Sequence, residues 1–248
     1  TQSGAAGSAV LDLLATEQFG FAKFISYGNG TNVSETELLE YLEKDPQTKI
    51  ICMYVEGIQD GRKFMDVAQR SKKPIIALKG GKTEHGAKAT LSHTGSLAGS
   101  YEIYKGAWKQ SGVIIADSLQ ELFDIARLFE KLPTPTGKRV QVITNGGGYG
   151  ILTIDALVAA GVPLAALSVR TKEKLKQHLP KIVSVNNPLD LVGDVTDARY
   201  DIALQACVSD KNVDAILLVI LHQTPLLAEK IVDVVRKYHG QKPIVIVS

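Results

Sequence analysis

The chain has 248 residues, 45% of them hydrophobic and 22% charged, which is a globular composition and excludes a disordered or collagen-like chain. Its 28 Lys and Arg and 26 Asp and Glu residues give a net charge of +2, too even for a protein that binds nucleic acid by charge alone. No apolar run reaches the ~18 residues of a membrane helix, and no signal-peptide pattern opens the chain. We therefore expect a cytoplasmic protein without nucleic-acid or membrane partners.

Short apolar runs alternate with longer segments of helical period, which is typical of a parallel α/β sheet. Ser34 and Glu37 form a capping-box pattern, which marks the start of one of these helices. In the first half the pattern predicts helix 5–18, strand 21–27, helix 35–44, strand 50–55, helix 61–70, strand 74–78, helix 101–110, strand 113–115 and helix 119–131.

Residues 132–137, LPTPTG, have the composition of a linker, so we expect one domain over 1–131 and a second over 138–248. The chain begins without methionine and ends inside an apolar run. We therefore expect a piece of a longer polypeptide, with one strand before Thr1 and an incomplete second domain. In the second half the pattern predicts strand 139–144, helix 151–160, strand 163–169, helix 171–179, a polar loop 185–196, helix 199–207, strand 215–220, helix 225–238 and strand 244–247.

The cysteines and most histidines favour structural roles. Cys52 and Cys207 lie in apolar surroundings, which predicts buried thiols in a reducing compartment rather than a disulfide or a metal site. The five histidines lack the spacing and the carboxylate or thiolate neighbours of a metal site, so we predict no metal ligands.

The segment 79–100 is a long loop rich in Gly, Ser and Thr, and long loops inside compact domains are usually functional. It carries His85 and His93, and His93 is surrounded by small and hydroxyl-bearing residues. A histidine that attacks or carries a chemical group is one interpretation, and a structural loop histidine is the other. The lysines of this segment, Lys79, Lys82 and Lys88, fit either an anion site or a solvated surface.

Both halves contain a tight turn directly before a helix, at Ser3-Gly4-Ala5 and at Gly146-Gly147-Gly148. Free N–H groups and the helix dipole make such a turn a potential phosphate site, although a simple chain reversal explains it equally well. The spacing matches neither GxGxxG nor GxxxxGK[ST], so a dinucleotide or Walker-type site is not supported. Two such helix starts could hold one anion together.

Several segments resemble the NDP-forming acyl-CoA synthetases, which are relatives of succinyl-CoA synthetase. SHTGSLAG at 92–99 is similar to the phosphohistidine segment of that family. The resemblance implies an α/β fold of two tandem flavodoxin-like, three-layer domains with mainly parallel sheets. It extends to TQSGA at 1–5, MYVEGIQDG at 53–61, KGGKTEHGAKA at 79–89, NGGGYG at 145–150 and NNPLDLVGD at 186–194.

The resemblance implies interconversion of acyl-CoA, ADP and phosphate with the free acid, CoA and ATP. An acyl phosphate would pass its phosphoryl group to His93, and the phosphohistidine would pass it to ADP. Glu56 would accept a hydrogen bond from the His93 imidazole, which fixes the tautomer and leaves the other nitrogen free to attack. The turns at Ser3-Gly4-Ala5 and Gly146-Gly147-Gly148 would hold the phosphoryl group across a cleft between the domains.

The CoA-binding and ATP-grasp domains of the family are not recognisable in the sequence. We therefore expect no cofactor within this piece, and CoA, ATP or ADP and Mg²⁺ only in a complete, oligomeric enzyme that supplies those domains or subunits. One alternative is a non-catalytic, ligand-sensing domain pair of a regulatory or acetyltransferase protein. Another is a flavodoxin-like domain that binds flavin or a nucleotide.

Overall fold

The computed structural model describes residues 1–16, 20–83, 85–86, 100–224 and 231–248. These residues form two compact units, Thr1–Glu130 and Lys131–Ser248. None of the described helices is long and apolar enough to cross a membrane.

The first unit is built on a parallel sheet of three strands in the order β1-β2-β3. The strands are β1 (Ile51–Val55), β2 (Ile75–Lys79) and β3 (Ile114–Ala116). The described helices are α1 (Gly4–Thr16), α2 (Glu35–Lys44), α3 (Gly61–Arg70), α4 (Tyr101–Gln110) and α5 (Leu119–Lys131). The capping box predicted at Ser34 and Glu37 is confirmed, because Ser34 Oγ accepts from Glu37 N and Glu37 Oε2 accepts from Ser34 N.

The sheet of this unit is covered on both faces, as its continuous apolar strand β2 requires. Ile75 and Ala77 pack into one cluster with side chains of α2, α3 and α4, among them Phe64 and Trp108. Ile76 and Leu78 point the other way and pack with side chains of α1 and α5. The first unit is therefore a three-layer α/β domain, as the family resemblance implies.

The predicted strand 21–27 is wrong, because the structure gives no strand there. The segment instead bonds to Thr1, whose amino group donates to Ile25 O at 2.7 Å and whose carbonyl accepts from Tyr27 N at 3.1 Å. The next residue, Gln2, bonds to β1 instead, since its N–H donates to Tyr54 O at 3.1 Å. Residues 21–25 and β1 both line a mostly apolar cavity of about 400 Å³.

The prediction for the two cysteines holds for only one of them. Cys207 is buried in α8 (Asp197–Ser209), and its burial raises the thiol pKa to about 12. Cys52 is exposed, because it lies on the side of β1 that faces the cavity, opposite the side from which Ile51 and Met53 pack with α2, α3 and α4.

The second unit carries a five-stranded sheet in the order β5-β6-β4-β7-β8, parallel except for the β5–β6 pair. Its strands are β4 (Val140–Thr144), β5 (Ser184–Val185), β6 (Leu189–Asp190), β7 (Ala215–Val219) and β8 (Ile244–Val247). Its helices are α6 (Gly147–Ala159), α7 (Val169–His178), α8 (Asp197–Ser209) and α9 (Ile231–Arg236). Of the predicted helix 225–238, residues 225–230 lie outside the described residues.

The predicted strand 163–169 is reduced to one bridge between Leu164 and Val140, and the predicted polar loop 185–196 contains the short β6. The reason is that three groups share one edge of β4. Leu164 occupies its start and β6 its end, while the Asn187 side chain bonds between them to Val140 O and Val142 N. This arrangement places Asp190 at the carboxyl end of the sheet, beside the start of α6.

Candidate functional site

Glu56 follows directly after β1, at the carboxyl end of the first sheet. It is 8% exposed, so it is a buried carboxylate rather than a solvated strand-end residue. A side chain on Gly80, which follows β2, would stand 2.6 Å from Tyr54 Oη and 3.3 Å from Glu56 Cγ. Glycine at position 80 therefore leaves room for Tyr54 and Glu56 at this edge of the sheet.

The backbone N–H groups that follow β1 donate to side chains rather than to a neighbouring strand. Gln2 Oε1 accepts from Glu56 N at 2.5 Å and from Gly57 N at 3.0 Å. Tyr104 Oη accepts from Ile58 N at 3.0 Å, and Glu35 Oε1 accepts from Gln59 N at 3.1 Å. Four consecutive N–H groups thus donate to side chains that come from three distant parts of the unit.

Lys79 at the end of β2 donates to backbone carbonyl groups of the same region. Its Nζ donates to Glu56 O at 2.7 Å and to Gly80 O at 2.5 Å, and it lies 4.8 Å from the centre of the Tyr104 ring. Burial lowers the pKa of Lys79 from its ordinary value, and the nearby Glu56 charge opposes that shift. Of the two interpretations of this lysine, the solvated surface is wrong, since its side chain is buried and bonded to backbone carbonyls.

The phenols around Glu56 are held in their neutral form. Burial raises the pKa of Tyr54 above its ordinary value, and the charge of Glu56 raises it further. Burial also raises the pKa of Tyr27, and the carboxylates of Glu35 and Glu56 add to that shift. A neutral phenol is a hydrogen-bond donor, so this site offers donors to a carboxylate and no competing phenolate.

The turn Ser3-Gly4-Ala5 forms the start of α1. Ser3 Oγ accepts from Ala6 N at 3.2 Å, and Ser3 O accepts from Gly7 N at 3.0 Å. No described residue accepts from the N–H groups of Gly4 and Ala5, and both residues are exposed. The first turn of α1 contains no acidic residue, so the positive end of this helix is available to an external anion.

The turn Gly146-Gly147-Gly148 opens α6 in the second unit. Gly146 is the N-cap without a side-chain bond, and its N–H donates to Thr144 Oγ1 at 3.0 Å. The neighbouring Asn145 bonds this turn to the segment after β7, through Leu221 and Thr224. The turn is therefore held rigidly at the carboxyl end of the second sheet.

Asp190 distinguishes the second helix start from the first. A Cβ on Gly147 would stand 2.8 Å from Asp190 Oδ2, so this carboxylate lies against the start of α6. Asp190 Oδ1 also accepts from Val192 N at 3.0 Å, which fixes its orientation. A negative charge already stabilises this helix dipole, and a bound phosphoryl group would meet that charge.

His93, the predicted nucleophile, lies outside the described residues, as does Lys88. His85 is described and exposed, and Lys82 forms an ion pair with Asp117 at 2.6 Å. Within the described ranges, no group of three or more His, Cys, Asp or Glu side chains could hold a metal ion.

Sequence reasoning missed the side chains that hold the backbone from Glu56 to Gln59, namely Gln2, Glu35 and Tyr104. Gln2 stands in the TQSG segment, but its residue type gives no sign that it reaches the end of a strand 54 positions away. Glu35 and Tyr104 each look like ordinary first-turn helix residues. Only the long-range contacts of the folded unit identify them.

Comparison with known proteins gives a consistent result for both units. Residues 1–129 match the family model described as the succinyl-CoA ligase-like flavodoxin domain, and residues 140–248 match the one described as the ligase-CoA domain. The chain is 41% identical to the alpha subunit of ADP-forming acetate–CoA ligase II from Pyrococcus furiosus, covering 98% of this chain and 55% of that subunit. It is 45% identical to ADP-forming acetate–CoA ligase I from Archaeoglobus fulgidus, covering 89% of this chain and 32% of that protein.

A solved structure gives the same result. A dinucleotide-forming acetyl-coenzyme A synthetase 1 from Ca. Korarchaeum cryptofilum, in complex with phosphate and ADP, matches with a TM-score of 0.90 at 37% identity. The match covers 99% of this chain and 55% of that one. The chain therefore spans about half the length of the Pyrococcus and Korarchaeum proteins that it matches.

Proposed function

The chain belongs to the succinyl-CoA-ligase-like family, and we propose that it is the phosphohistidine-bearing part of an ADP-forming acyl-CoA synthetase. The observation that carries the proposal is the buried Glu56, fixed at the carboxyl end of β1 by the residue that precedes the open helix start of α1. A carboxylate for an imidazole and free N–H groups for a phosphoryl anion are the two groups that a phosphohistidine requires.

The proposed reaction has three steps. Phosphate displaces CoA from the acyl carbon of acyl-CoA and gives an acyl phosphate. A ring nitrogen of His93 then attacks phosphorus and releases the free acid. Finally an oxygen of the ADP β-phosphate takes the phosphoryl group from that nitrogen, which restores His93 and forms ATP.

Three groups in this chain have distinct roles in that scheme. Glu56 holds the proton on one nitrogen of His93, so that the other nitrogen presents its lone pair to phosphorus. The Gly4 and Ala5 N–H groups stabilise the charge on the phosphoryl oxygens, and the turn Gly146-Gly147-Gly148 is a second candidate for that role. CoA, ADP and Mg²⁺ are held by other domains or subunits of a cytoplasmic, oligomeric enzyme.

Relatives that are 38–46% identical carry acetate in their names, so acetyl-CoA and acetate are the first substrates to test. A phosphohistidine intermediate predicts ping-pong behaviour. The complete protein should therefore exchange isotope between ADP and ATP in the absence of acid and CoA. The variant His93→Asn should lose this exchange, and His85→Asn should keep it.

The same experiment separates the enzyme from the ligand-sensing alternative. A sensor binds its ligand but moves no phosphoryl group, so it gives no exchange in the wild type. Exchange that persists in His93→Asn would contradict the proposed nucleophile while leaving the family assignment intact.

A further inference from the structure

Gln2 holds Glu56 from two directions. Its own N–H donates to Tyr54 O at 3.1 Å, and its side-chain oxygen accepts from Glu56 N and Gly57 N. The residue is 7% exposed, so water has little access to these bonds. Backbone and side chain together fasten Gln2 to the end of β1.

The position of Gln2 in the sequence gives these bonds a second consequence. Gln2 directly precedes Ser3-Gly4-Ala5, the open start of α1. The same residue is thus bonded to the backbone of Glu56 and covalently joined to the turn whose N–H groups have no described acceptor. Glu35, Tyr104 and Lys79 also hold the segment after β1, but none of them belongs to a helix start that is open to an anion.

We infer that Gln2 is a positioning residue that fixes Glu56 relative to the helix start of α1. The carboxylate that orients the imidazole and the N–H groups that bind the phosphoryl group then keep a fixed relative position. This inference rests on the proposed function. An amide oxygen has two acceptor sites, which suits two adjacent N–H groups. If the oxygen is removed, both N–H groups lose their partner in a buried place, and the backbone of Glu56 must shift to recover one.

The decisive variant is Gln2→Met, which preserves the length and flexibility of the side chain and removes the acceptor. Misplacement of a catalytic group by about 1 Å costs on the order of 10²-fold in rate. In the complete protein, single-turnover labelling of His93 by γ-labelled ATP should slow by roughly 10- to 100-fold at saturating ATP. The half-saturating ATP concentration should stay unchanged, since Gln2 positions the acceptor rather than the nucleotide.

Gln141 provides a matched control. It is also a buried glutamine with two bonds to backbone groups, at Val142 O and Asn186 O, but it lies in the second unit. Gln141→Met removes two buried hydrogen bonds of the second unit and should keep the labelling rate. Equal slowing in both variants would overturn the inference, because it would indicate a general loss of stability.

A double-variant cycle shows whether Gln2 acts through Glu56. If it does, Gln2→Met should slow labelling much less in a Glu56→Gln background than in the wild type, whereas independent residues give multiplicative effects. Multiplicative effects would overturn the inference. Wild-type protein that takes no label would instead refute the proposed function.

A measurement on the wild type covers the case in which Gln2→Met does not fold. The Glu56 and Gly57 amides should exchange with deuterium as slowly as the amides of β1, because Gln2 protects both. Rapid exchange of these two amides would contradict the inference without any variant.

Discussion

Gly4 has no steric reason to be glycine. Nothing lies within 4 Å of the position where its Cβ would stand, and its φ is not in the left-handed region. Because a helical Cβ tilts toward the N-terminus of its helix, a methyl group there would lie on the same side as the open N–H groups of α1. We predict that Gly4→Ala leaves the free energy of unfolding unchanged or raises it by up to about 1 kcal/mol, because alanine favours helix.

The same substitution should slow phosphoryl transfer to His93. Thermal unfolding and single-turnover labelling, measured side by side, separate the two effects. Gly106→Ala is the matched control, since Gly106 also lies in a helix with open space around it. Labelling of Gly4→Ala at the wild-type rate would show that this helix start does not hold the phosphoryl group.

At the second helix start, removal of the Asp190 charge should strengthen phosphate binding rather than weaken it. Its carboxylate lies against Gly147, so it repels an anion that approaches the N–H groups of the turn. Asp190→Asn keeps an oxygen for Val192 N and removes the charge. Removing about 1 kcal/mol of repulsion should lower the half-saturating phosphate concentration about fivefold.

Phosphate-dependent cleavage of acetyl-CoA by the complete protein measures this change. Asp155→Asn serves as control, because Asp155 is an exposed residue farther along the same helix. An unchanged phosphate dependence in Asp190→Asn would exclude the turn Gly146-Gly147-Gly148 from phosphate binding.

At the scale of elements, one ion pair joins the strand β4 to the strand β7. Arg139 precedes β4 and donates to Asp214 through its backbone N at 2.8 Å and its Nε at 2.8 Å. These bonds hold the pKa of Asp214 well below its ordinary value of 3.8. A depressed carboxyl pKa means that the folded state binds this proton less readily than the unfolded state does.

The stability that this pair contributes is therefore present at neutral pH and lost as the pH falls below about 4. Asp214→Asn should lower the unfolding temperature at neutral pH and flatten its decline in acid. Calorimetry from about pH 7 to about pH 2 tests this. Asp233→Asn should change little, because Asp233 and Arg236 form an exposed pair, and surface pairs are worth little. Parallel acid profiles for Asp214→Asn and wild type would refute the prediction.

Helices were predictable from the sequence because their signals are local. Ser34 and Glu37 stand three residues apart and mark the start of α2 by themselves, and α3, α4 and α5 follow equally local periodicity. The errors fall on strands, because a strand exists only where a partner supplies its ladder. The backbone of segment 21–27 bonds to Thr1 rather than to a strand, and residues 163–169 share one edge of β4 with Asn187 and β6.

The candidate site was predictable only where the family motif names a residue. Glu56 was assigned by resemblance, and the structure adds that it is buried. The side chains that hold the backbone from Glu56 to Gln59 come from positions 2, 35, 79 and 104, and no local pattern connects such distant positions. Asn187 is a similar case, since its role as a substitute for strand backbone depends on the fold of the second unit.

At the scale of the whole molecule, the chain spans about half of the Pyrococcus subunit that it matches, and under the proposed function it supplies the phosphoryl carrier. The proposed reaction also needs sites for CoA and for the nucleotide. We therefore predict that the 248-residue chain alone forms no acetyl-CoA from acetate, CoA and ATP, and that addition of the remaining domains or subunits restores the activity. Formation of acetyl-CoA by the chain alone would contradict the proposal that other domains or subunits supply the sites for CoA and the nucleotide.

Covalent phosphorylation of His93 tests the central claim most directly. The complete protein, incubated with γ-labelled ATP, should take label into this chain in a form that survives alkali and is lost in acid, as the phosphorus–nitrogen bond of a phosphohistidine requires. His93→Asn should abolish the label, and His85→Asn should retain it. Label that remains in His93→Asn, or an acid-stable phosphate on Ser92, Thr94 or Ser96, would contradict the account.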